Sequence, residues 1–364
     1  MAPRGRPRKA AKAARFFFAA MLVFCAGRSG FATSDDDPLA MEFVPPDASR
    51  PVGRAASERW AIYLNGRIDD RAAERFREEL TRREIRSASV YLNSRGGDLS
   101  QGMELGALIR ERGFSTNVGS QNDRGALALA GECYSACVLA FIGGNYRFCG
   151  SQSRIGVHRF SALSPTGSDL DTAQIVSAAI VNYIRLMDVD VGLFDRMSRA
   201  GKDEMLVLAK ADLERLRVIN NGRQAAEWTI ESLNGTSHLK GSQQTWLGEG
   251  EIRFSCNQGQ VVFHPMFDAG DNAEAVRDSV KQHLIRFGDR YVPLADPLQP
   301  VSIQDGRVSA EFVLNREQID RLRATSSVGY AARLGYPNVF AGFSVDTQGP
   351  AGEKINSFLR SCER

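Results

Sequence analysis

Several patterns that would point to a common functional class are missing from this 364-residue sequence. It has only four histidines, and no histidine or second cysteine pair lies at metal-ligand spacing from its cysteines. It has no basic stripe with interleaved aromatic residues of the kind that binds nucleic acid. Apart from residues 16–26, it has no long apolar run, and none could cross a bilayer. The sequence therefore predicts a protein with no metal or cofactor, no nucleic-acid partner and no membrane span once a leader is removed.

Acidic residues are absent from the first 34 positions, and this absence points to an export signal. Six basic residues precede the apolar run 16–26, and Gly30 and Ala32 lie at positions that a signal peptidase reads. Because the run is too short to span a bilayer, we predict a secretory signal peptide over residues 1–32. Arg28, just after the run, leaves an uncleaved anchor as the alternative.

Removing this leader reverses the net charge. Seven of the 46 Lys and Arg residues lie before Thr33, so 39 would remain against 43 Asp and Glu residues. The exported chain would be slightly acidic. Its remaining length, about 330 residues, is enough for two domains with their own cores.

The sequence after the leader divides into three regions. Residues 33–57 are rich in Asp, Pro, Ala and Arg without periodicity, which predicts a flexible linker. Residues 58–222 alternate apolar strands with amphipathic helices, which predicts right-handed βαβ units, a parallel sheet and an α/β fold. Residues 223–364 contain short alternating runs, which predict a smaller, mostly-β accessory domain. The predicted strands are 61–64, 89–92, 115–118, 251–254, 260–263 and 308–314, and the predicted helices are 69–83, 99–112, 169–187 and one near 353–359.

The turn around Ser135 carries the strongest chemical signal. An apolar strand is expected at 127–130 and an apolar helix at 138–141, so the serine hydroxyl would lie at a helix N-terminus. Backbone N–H groups at such a terminus can stabilise a developing oxyanion. The pattern indicates an exposed nucleophile on a strand-to-helix turn.

A second turn and one histidine complete the set. Gly96 and Gly97 follow the strand at 89–92, and two glycines there let the backbone approach a bound carbonyl closely. His158 lies 23 residues after Ser135 in the segment Gly-Val-His. A serine, a histidine and a glycine-built amide pocket are the parts of an acyl-transfer site.

These motifs resemble the Clp protease proteolytic subunit and its relatives in the ClpP/crotonase superfamily. The resemblance rests on three ordered motifs, at residues 91–97, 114–116 and 147–158, and it covers roughly residues 59–220. It implies the superfamily's spiral of βαβ units for residues 58–222.

The resemblance also implies roles for individual residues. Ser135 would be the nucleophile and His158 its general base, while the N–H groups of Gly97 and Ala136 would form the oxyanion hole. Asp203 would be the third member that orients the imidazole, because the sequence just after it resembles the segment that follows the family's aspartate.

Each of these residues also has an ordinary structural interpretation. Ser135 could be a helix N-cap, and His158 could be a core histidine bonded to a carbonyl. His238 and His264 have no partner motif, so we assign them structural or surface roles. Solvated helix charge is the alternative interpretation for the acidic residues close to Asp203 in sequence, which are Asp195, Glu204 and Asp212.

Three features depart from the cytosolic family: a longer loop at 119–125, two cysteines beside the serine, and added N- and C-terminal segments. In this combination the chain is similar to periplasmic ClpP-like proteins of Gram-negative bacteria. The similarity implies a periplasmic or secreted serine protease that acts on peptide or protein, forms homo-oligomers and has no ATPase partner. A catalytically inactive ClpP-fold binding or scaffold protein is the alternative. An enoyl-CoA-handling enzyme of the crotonase branch fits poorly, because CoA substrates are cytosolic.

Five cysteines follow the leader, and in an oxidising compartment most should pair. Cys133 and Cys137 lie four residues apart across the serine turn, which predicts a local disulfide, with two small buried thiols as the alternative. Cys256 and Cys362 bracket the second region and would close a long loop. Cys149 is then left unpaired.

Overall fold

A computed structural model of the chain describes residues 37–46, 59–121, 128–160, 169–201, 204–233, 236–335 and 340–363. The predicted signal peptide at 1–32 lies outside these residues, and so does most of the predicted linker at 33–57. Within the described ranges, no helix is both long and apolar enough to span a bilayer.

Strands and helices alternate in the described part of residues 37–222. The strands are β1 (Ala40–Val44), β2 (Trp60–Asn65), β3 (Ala88–Asn93), β4 (Ser115–Val118), β5 (Ser120–Gln121), β6 (Ala128–Leu129), β7 (Glu132–Tyr134), β8 (Arg147–Cys149), β9 (Arg154–Val157) and β10 (Leu206–Val207). The helices are α1 (Ala72–Arg82), α2 (Leu99–Glu111), α3 (Ala136–Ile142), α4 (Asp169–Leu186), α5 (Gly192–Arg199) and α6 (Lys210–Arg215). The strands and helices predicted for this half are present, and their ends differ by a few residues.

Two sheets hold the strands that lead to the candidate site. The first has the order β1–β2–β3–β4–β8, in which β1 is antiparallel and the other pairs are parallel. The second has the order β10–β9–β7, in which β7 and β9 are parallel and β10 is antiparallel. Ser94, just past β3, bridges Cys133 of β7 and connects the two sheets. The predicted mixed α/β class is confirmed.

The helices bury the faces that their sequence pattern predicts. In α1, Phe76 and Leu80 are fully buried, and most of the other positions are charged. The helix α2 begins after Asp98, whose carboxylate accepts the Gln101 N–H at 2.9 Å as an N-cap. Gly102 brings α2 against α3, because a Cβ there would lie 2.5 Å from a backbone oxygen of α3. These contacts place the turn at Gly96 and Gly97 next to the turn at Ser135.

Residues 40–44 form β1, where the sequence pattern predicts linker. A first hydrophobic cluster draws its buried residues from the region between Leu39 and Ile219. Met41 and Phe43 are partly buried against this cluster, and the Phe43 ring lies 6.5 Å from the Phe76 ring. The edge of β2 gains a full ladder of backbone hydrogen bonds from this strand. Composition could not reveal it, because the partner edge that stabilises β1 exists only in the folded chain.

Antiparallel strands dominate the described part of residues 223–363. The strands are β11 (Glu227–Leu233), β12 (Thr236–Thr245), β13 (Gly248–Asn257), β14 (Gln260–Asp268), β15 (Val280–Phe287), β16 (Arg290–Pro293), β17 (Ser302–Gln304), β18 (Arg307–Ser309), β19 (Phe312–Val313), β20 (Ser327–Leu334) and β21 (Phe340–Asp346). The helices are α7 (Ala273–Ser279), α8 (Arg316–Ala324) and α9 (Pro350–Cys362).

These strands form two sheets over a second hydrophobic cluster. One sheet has the order β11–β12–β13–β14–β18–β17 with β19 also on β14, and the other has the order β16–β15–β20–β21. Phe254, Phe263 and Phe312 lie fully buried between them. The run predicted at 308–314 is split between β18 and β19, and the sequence analysis did not predict α7 or α8. A separate domain over 223–364 stays a prediction.

Both predicted cysteine pairs stand at disulfide distance. Cys133 and Cys137 have Cα atoms 5.3 Å apart, and Cys256 and Cys362 have Cα atoms 5.5 Å apart. The second pair ties β13 to α9 across 106 residues, a separation at which a cross-link stabilises a fold by about 4–5 kcal/mol in the chain-entropy picture. Cys149 is free, as predicted.

Arg147 is a large cation placed in the core. It is 1% exposed, and its guanidinium donates hydrogen bonds to the backbone oxygens of Val218 at 3.0 Å, Gly144 at 2.8 Å and Arg217 at 2.8 Å. Burial lowers its pKa to about 9. This side chain therefore joins the turn before β8 to the segment that follows α6.

Asp69 organises the start of α1. Its carboxylate accepts hydrogen bonds from Arg75 at 2.6 and 2.8 Å and from the backbone N–H groups of Leu39 and Arg71, each at 3.1 Å. The Arg75 hydrogen bond is the main cause that lowers the pKa of Asp69 from 3.8 to about 2.

This pKa predicts an acid-sensitive contribution to stability. Because the folded-state pKa is depressed, the contribution is present above pH 3.8 and is lost as the pH falls towards about 2. Asp69→Asn lacks it, so we expect the difference in thermal midpoint between wild type and variant to shrink between pH 5 and pH 2. Thermal scans across that range measure it. The exposed neighbour Asp70, changed to Asn, is the matched control, and an equal pH dependence in both variants would contradict the assignment.

Candidate active site

Ser135 occupies a sharp turn between β7 and α3. Its φ of 56° and ψ of −126° lie in a region that residues other than glycine rarely adopt. The strand that leads into it is β7, whereas the predicted strand at 127–130 is reduced to β6, which pairs with β5 in a short hairpin. The helix begins at Ala136, two residues before its predicted start. The serine therefore stands directly at the end of a strand and the start of a helix.

His158 reaches the serine because β7 and β9 are parallel neighbours. Tyr134 pairs with Gly156, and the Ser135 N–H donates to the Gly156 backbone oxygen at 3.0 Å. His158 follows β9 at the same end of the sheet, and its Nε2 lies 2.8 Å from Ser135 Oγ. Two residues that are 23 positions apart in sequence are thus joined by a hydrogen bond.

Neither structural interpretation of this pair matches the geometry. Ser135 makes no side-chain capping hydrogen bond to α3, so it is not an N-cap in the usual sense. The Nδ1 atom of His158 is buried and has no hydrogen-bond partner among the described residues, so no carbonyl in that part of the chain holds the ring. The pair has the contact that a nucleophile and its base require.

The glycine turn packs directly on the serine. Gly96 has a φ of 104°, and a Cβ placed on it would lie 2.8 Å from Ser135 Cβ. Gly97 has a φ of 139°, and a Cβ there would lie 2.1 Å from the backbone oxygen of Ile68. Both positions require glycine, for backbone conformation and for space.

Two backbone N–H groups beside the serine have no backbone acceptor among the described residues. Ala136 is the first residue of α3, so its N–H has no partner within the helix. In the described part of the chain, neither the Ala136 N–H nor the Gly97 N–H donates a backbone hydrogen bond. A Cβ placed on Gly96 would lie 3.0 Å from the Ala136 nitrogen. The predicted oxyanion donors are therefore close to the turn that bears the nucleophile.

The third predicted residue is not placed by the structure. Asp203 lies outside the described residues. Of the neighbouring acidic residues, Asp195 and Asp212 form ion pairs with arginines at 2.8–3.2 Å, and Glu204 is exposed. In β10, Leu206 pairs with Val157, so the chain that follows α5 returns beside β9, the strand that precedes His158.

Gly156 is a residue of the site that the sequence analysis did not assign a role. Gly156 fixes the serine amide, and a Cβ at this position would lie 2.8 Å from the Tyr134 ring and 3.0 Å from the Met205 side chain. The glycine stands in the Gly-Val-His segment, but its contact with Ser135 depends on the pairing of β7 with β9. Met205, 37% exposed, has no comparable signal in the sequence.

Gly96→Ala tests the packing of the two turns. The added methyl group would press on Ser135 Cβ, and we expect the reactivity of Ser135 towards a serine-directed phosphonate to fall by about 10²-fold. Gly288→Ala is the matched control, because Gly288 has a φ of 59° but no atom within 4 Å of an added Cβ. It reports the cost of backbone strain alone. Unchanged reactivity in the folded Gly96 variant would show that the turns are not in tight contact.

No metal site accompanies this arrangement in the described ranges, where no group of three or more His, Cys, Asp and Glu side chains could hold a metal ion.

Comparisons with known proteins give partial likenesses. No family model matches the sequence, and no curated protein matches it. Among solved structures, ClpP1 from Listeria monocytogenes is similar, with 13% identity, a TM-score of 0.34 and coverage of 44% of this chain and 88% of that chain. A point mutant of the same ClpP1 matches with 15% identity, a TM-score of 0.33 and the same coverage.

Proposed function

We propose that this chain is an exported serine hydrolase of ClpP-like fold, and that it acts as an ATP-independent peptidase. The observation that carries the proposal is the distance of 2.8 Å between His158 Nε2 and Ser135 Oγ on a strained strand-to-helix turn. A serine held in this way by a histidine is activated for attack on a carbonyl.

The proposed reaction proceeds by acyl transfer. His158 Nε2 accepts the Ser135 hydroxyl proton as Oγ attacks the substrate carbonyl, and the same nitrogen then gives the proton to the leaving amine. A water molecule, deprotonated by His158, hydrolyses the acyl-enzyme and restores the serine. The N–H groups of Ala136 and Gly97 would receive the oxyanion, because they are free of backbone acceptors and are adjacent to the turn.

Asp203 remains the predicted third member of the site. An imidazole whose Nδ1 is buried gains from a carboxylate there, because the carboxylate holds the tautomer and stabilises the imidazolium that forms. The buried Nδ1 of His158 has no hydrogen-bond partner among the described residues. In the proposed site, its N–H would donate to the Asp203 carboxylate.

The proposal is tested by labelling the chain from Thr33 with a fluorophosphonate probe, followed by intact mass and peptide mapping. We expect one adduct, on Ser135, and no adduct in a folded Ser135→Ala variant. Labelling at another serine, or none in folded wild type, would contradict a hydrolase.

A binding protein that retains the fold is the second candidate. The observation that favours it is that His158 Nδ1 has no hydrogen-bond partner in the described part of the chain, because a histidine without an orienting partner is a weaker base. In that case wild type stays unlabelled although the 2.8 Å contact is present, and the antiparallel sheets of residues 223–363 would supply the recognition surface.

A further inference from the structure

The Cys133–Cys137 bridge spans the residue that carries the proposed chemistry. Each cysteine lies two residues from Ser135, one in β7 and one in the first turn of α3. Both are 0% exposed, so the bridge lies beneath the turn and not on the surface. The cross-link therefore joins the two elements whose junction is the serine.

The junction needs an external restraint. The backbone of Ser135 is in a rarely populated conformation, which persists only where the surroundings impose it. The strand β7 has three residues and α3 has seven, so neither element is long enough to be stable alone. The backbone hydrogen bonds around the turn run from the Tyr134 N–H to the Ser94 oxygen, from the Ser135 N–H to the Gly156 oxygen and from the Val138 N–H to the Ser135 oxygen. The first two fix the end of β7 to neighbouring segments, and none of the three joins the first turn of α3 to another element.

We infer that the Cys133–Cys137 disulfide is a positioning device for the nucleophile, and this inference rests on the function proposed above. The bridge keeps the end of β7 and the first turn of α3 at a fixed separation. Ser135 then cannot relax towards an ordinary helical N-cap, in which its Oγ would turn to the α3 amides and away from His158. Its loss should lower the reactivity of Ser135 more than it lowers the stability of the fold.

The second disulfide supplies a matched control in the same chain. Cys256–Cys362 closes a span of 106 residues between β13 and α9, and it has no contact with the serine turn. The Cys133–Cys137 bridge closes a span of four. Loop entropy therefore predicts that removing the long bridge lowers the thermal midpoint more, whereas positioning predicts that removing the short bridge lowers the reactivity more.

The experiment compares three proteins: wild type, Cys133→Ala with Cys137→Ala, and Cys256→Ala with Cys362→Ala. For each we would measure the thermal midpoint, the rate of phosphonate labelling of Ser135 from pH 6 to 9, and the ¹⁵N shifts of the His158 ring. We expect the first double variant to react about 10²-fold more slowly at every pH and to lose the Nε2···Oγ signature while it remains folded. The second should react at the wild-type rate with a lower midpoint.

The outcomes separate this inference from the proposed function. Wild-type reactivity and unchanged His158 shifts in the first double variant would overturn the positioning role. Unlabelled wild type, together with a His158 signature that vanishes only in the first double variant, would reject the hydrolase and support the positioning role. If the first variant does not fold, Cys133→Val with Cys137→Ala preserves more of the core volume. Failure of both to fold would assign the bridge to folding and overturn the inference.

Discussion

A His158→Ala variant is expected to label at Ser135 about 10²–10⁴-fold more slowly than wild type, the range that a positioned general base contributes. The physical reason is that a serine hydroxyl is a weak nucleophile unless a base accepts its proton. The Nε2 atom, 2.8 Å from Oγ, is the base that the described residues provide. Labelling rates from stopped time courses and intact mass measure the effect.

The thermal midpoint of the variant distinguishes a loss of Ser135 reactivity from misfolding. Among the described residues, the His158 ring forms one side-chain hydrogen bond, the one to Ser135, so its removal should change the thermal midpoint little. His238→Ala, on β12, is the control for the loss of a histidine, and we expect it to react as wild type does. If His158→Ala labelled at the wild-type rate, Ser135 would be reactive without a base and the acyl-transfer scheme would be wrong.

Among the single substitutions, the largest loss of stability is expected from Arg147→Met. The substitution keeps an unbranched side chain in the space but leaves the backbone oxygens of Gly144, Arg217 and Val218 without their donor. Each unsatisfied buried carbonyl costs about 1–3 kcal/mol, and the substitution leaves three of them. Relief from burying a cation, which the lowered pKa of about 9 reflects, offsets part of this. We expect a net loss of about 3–5 kcal/mol in the free energy of unfolding.

Denaturant unfolding of the variant measures this loss. Arg82→Met is the matched control, because Arg82 is exposed and its ion pair with Glu79 on the surface of α1 is worth less than about 1 kcal/mol. A value for Arg147→Met close to that of Arg82→Met would mean that water or new contacts satisfy the three carbonyls.

Much of the first half of the fold follows from local sequence patterns. Helix α1 is visible because Phe76 and Leu80 recur at the helical period among charged residues. Strands β2 and β3 are visible as short apolar runs, since both are buried on both faces. The predictions fail where a strand depends on a distant partner. Strand β1 exists because the edge of β2 is free, and β7 exists because β9 and Ser94 flank it.

The candidate site divides in the same way. The residue types, the turn glycines and the cysteine spacing are local properties, so Ser135, His158, Gly96 and Gly97 could be selected from the chain alone. Their distances could not, because they come from the parallel register that sets Tyr134 beside Gly156. Asp203 stays a prediction from resemblance.

Local sequence was therefore sufficient to identify the groups that could do chemistry. A nucleophile and a base are recognised by their own side chains, and the turn glycines by their backbone freedom. Only the tertiary structure decided that two segments 23 residues apart meet within 2.8 Å and that Gly96 touches the serine. It also decided that Arg147 is buried among carbonyls from distant segments. Such contacts arise from strand pairing and close packing, which depend on the whole folded chain and leave no period or motif in the sequence.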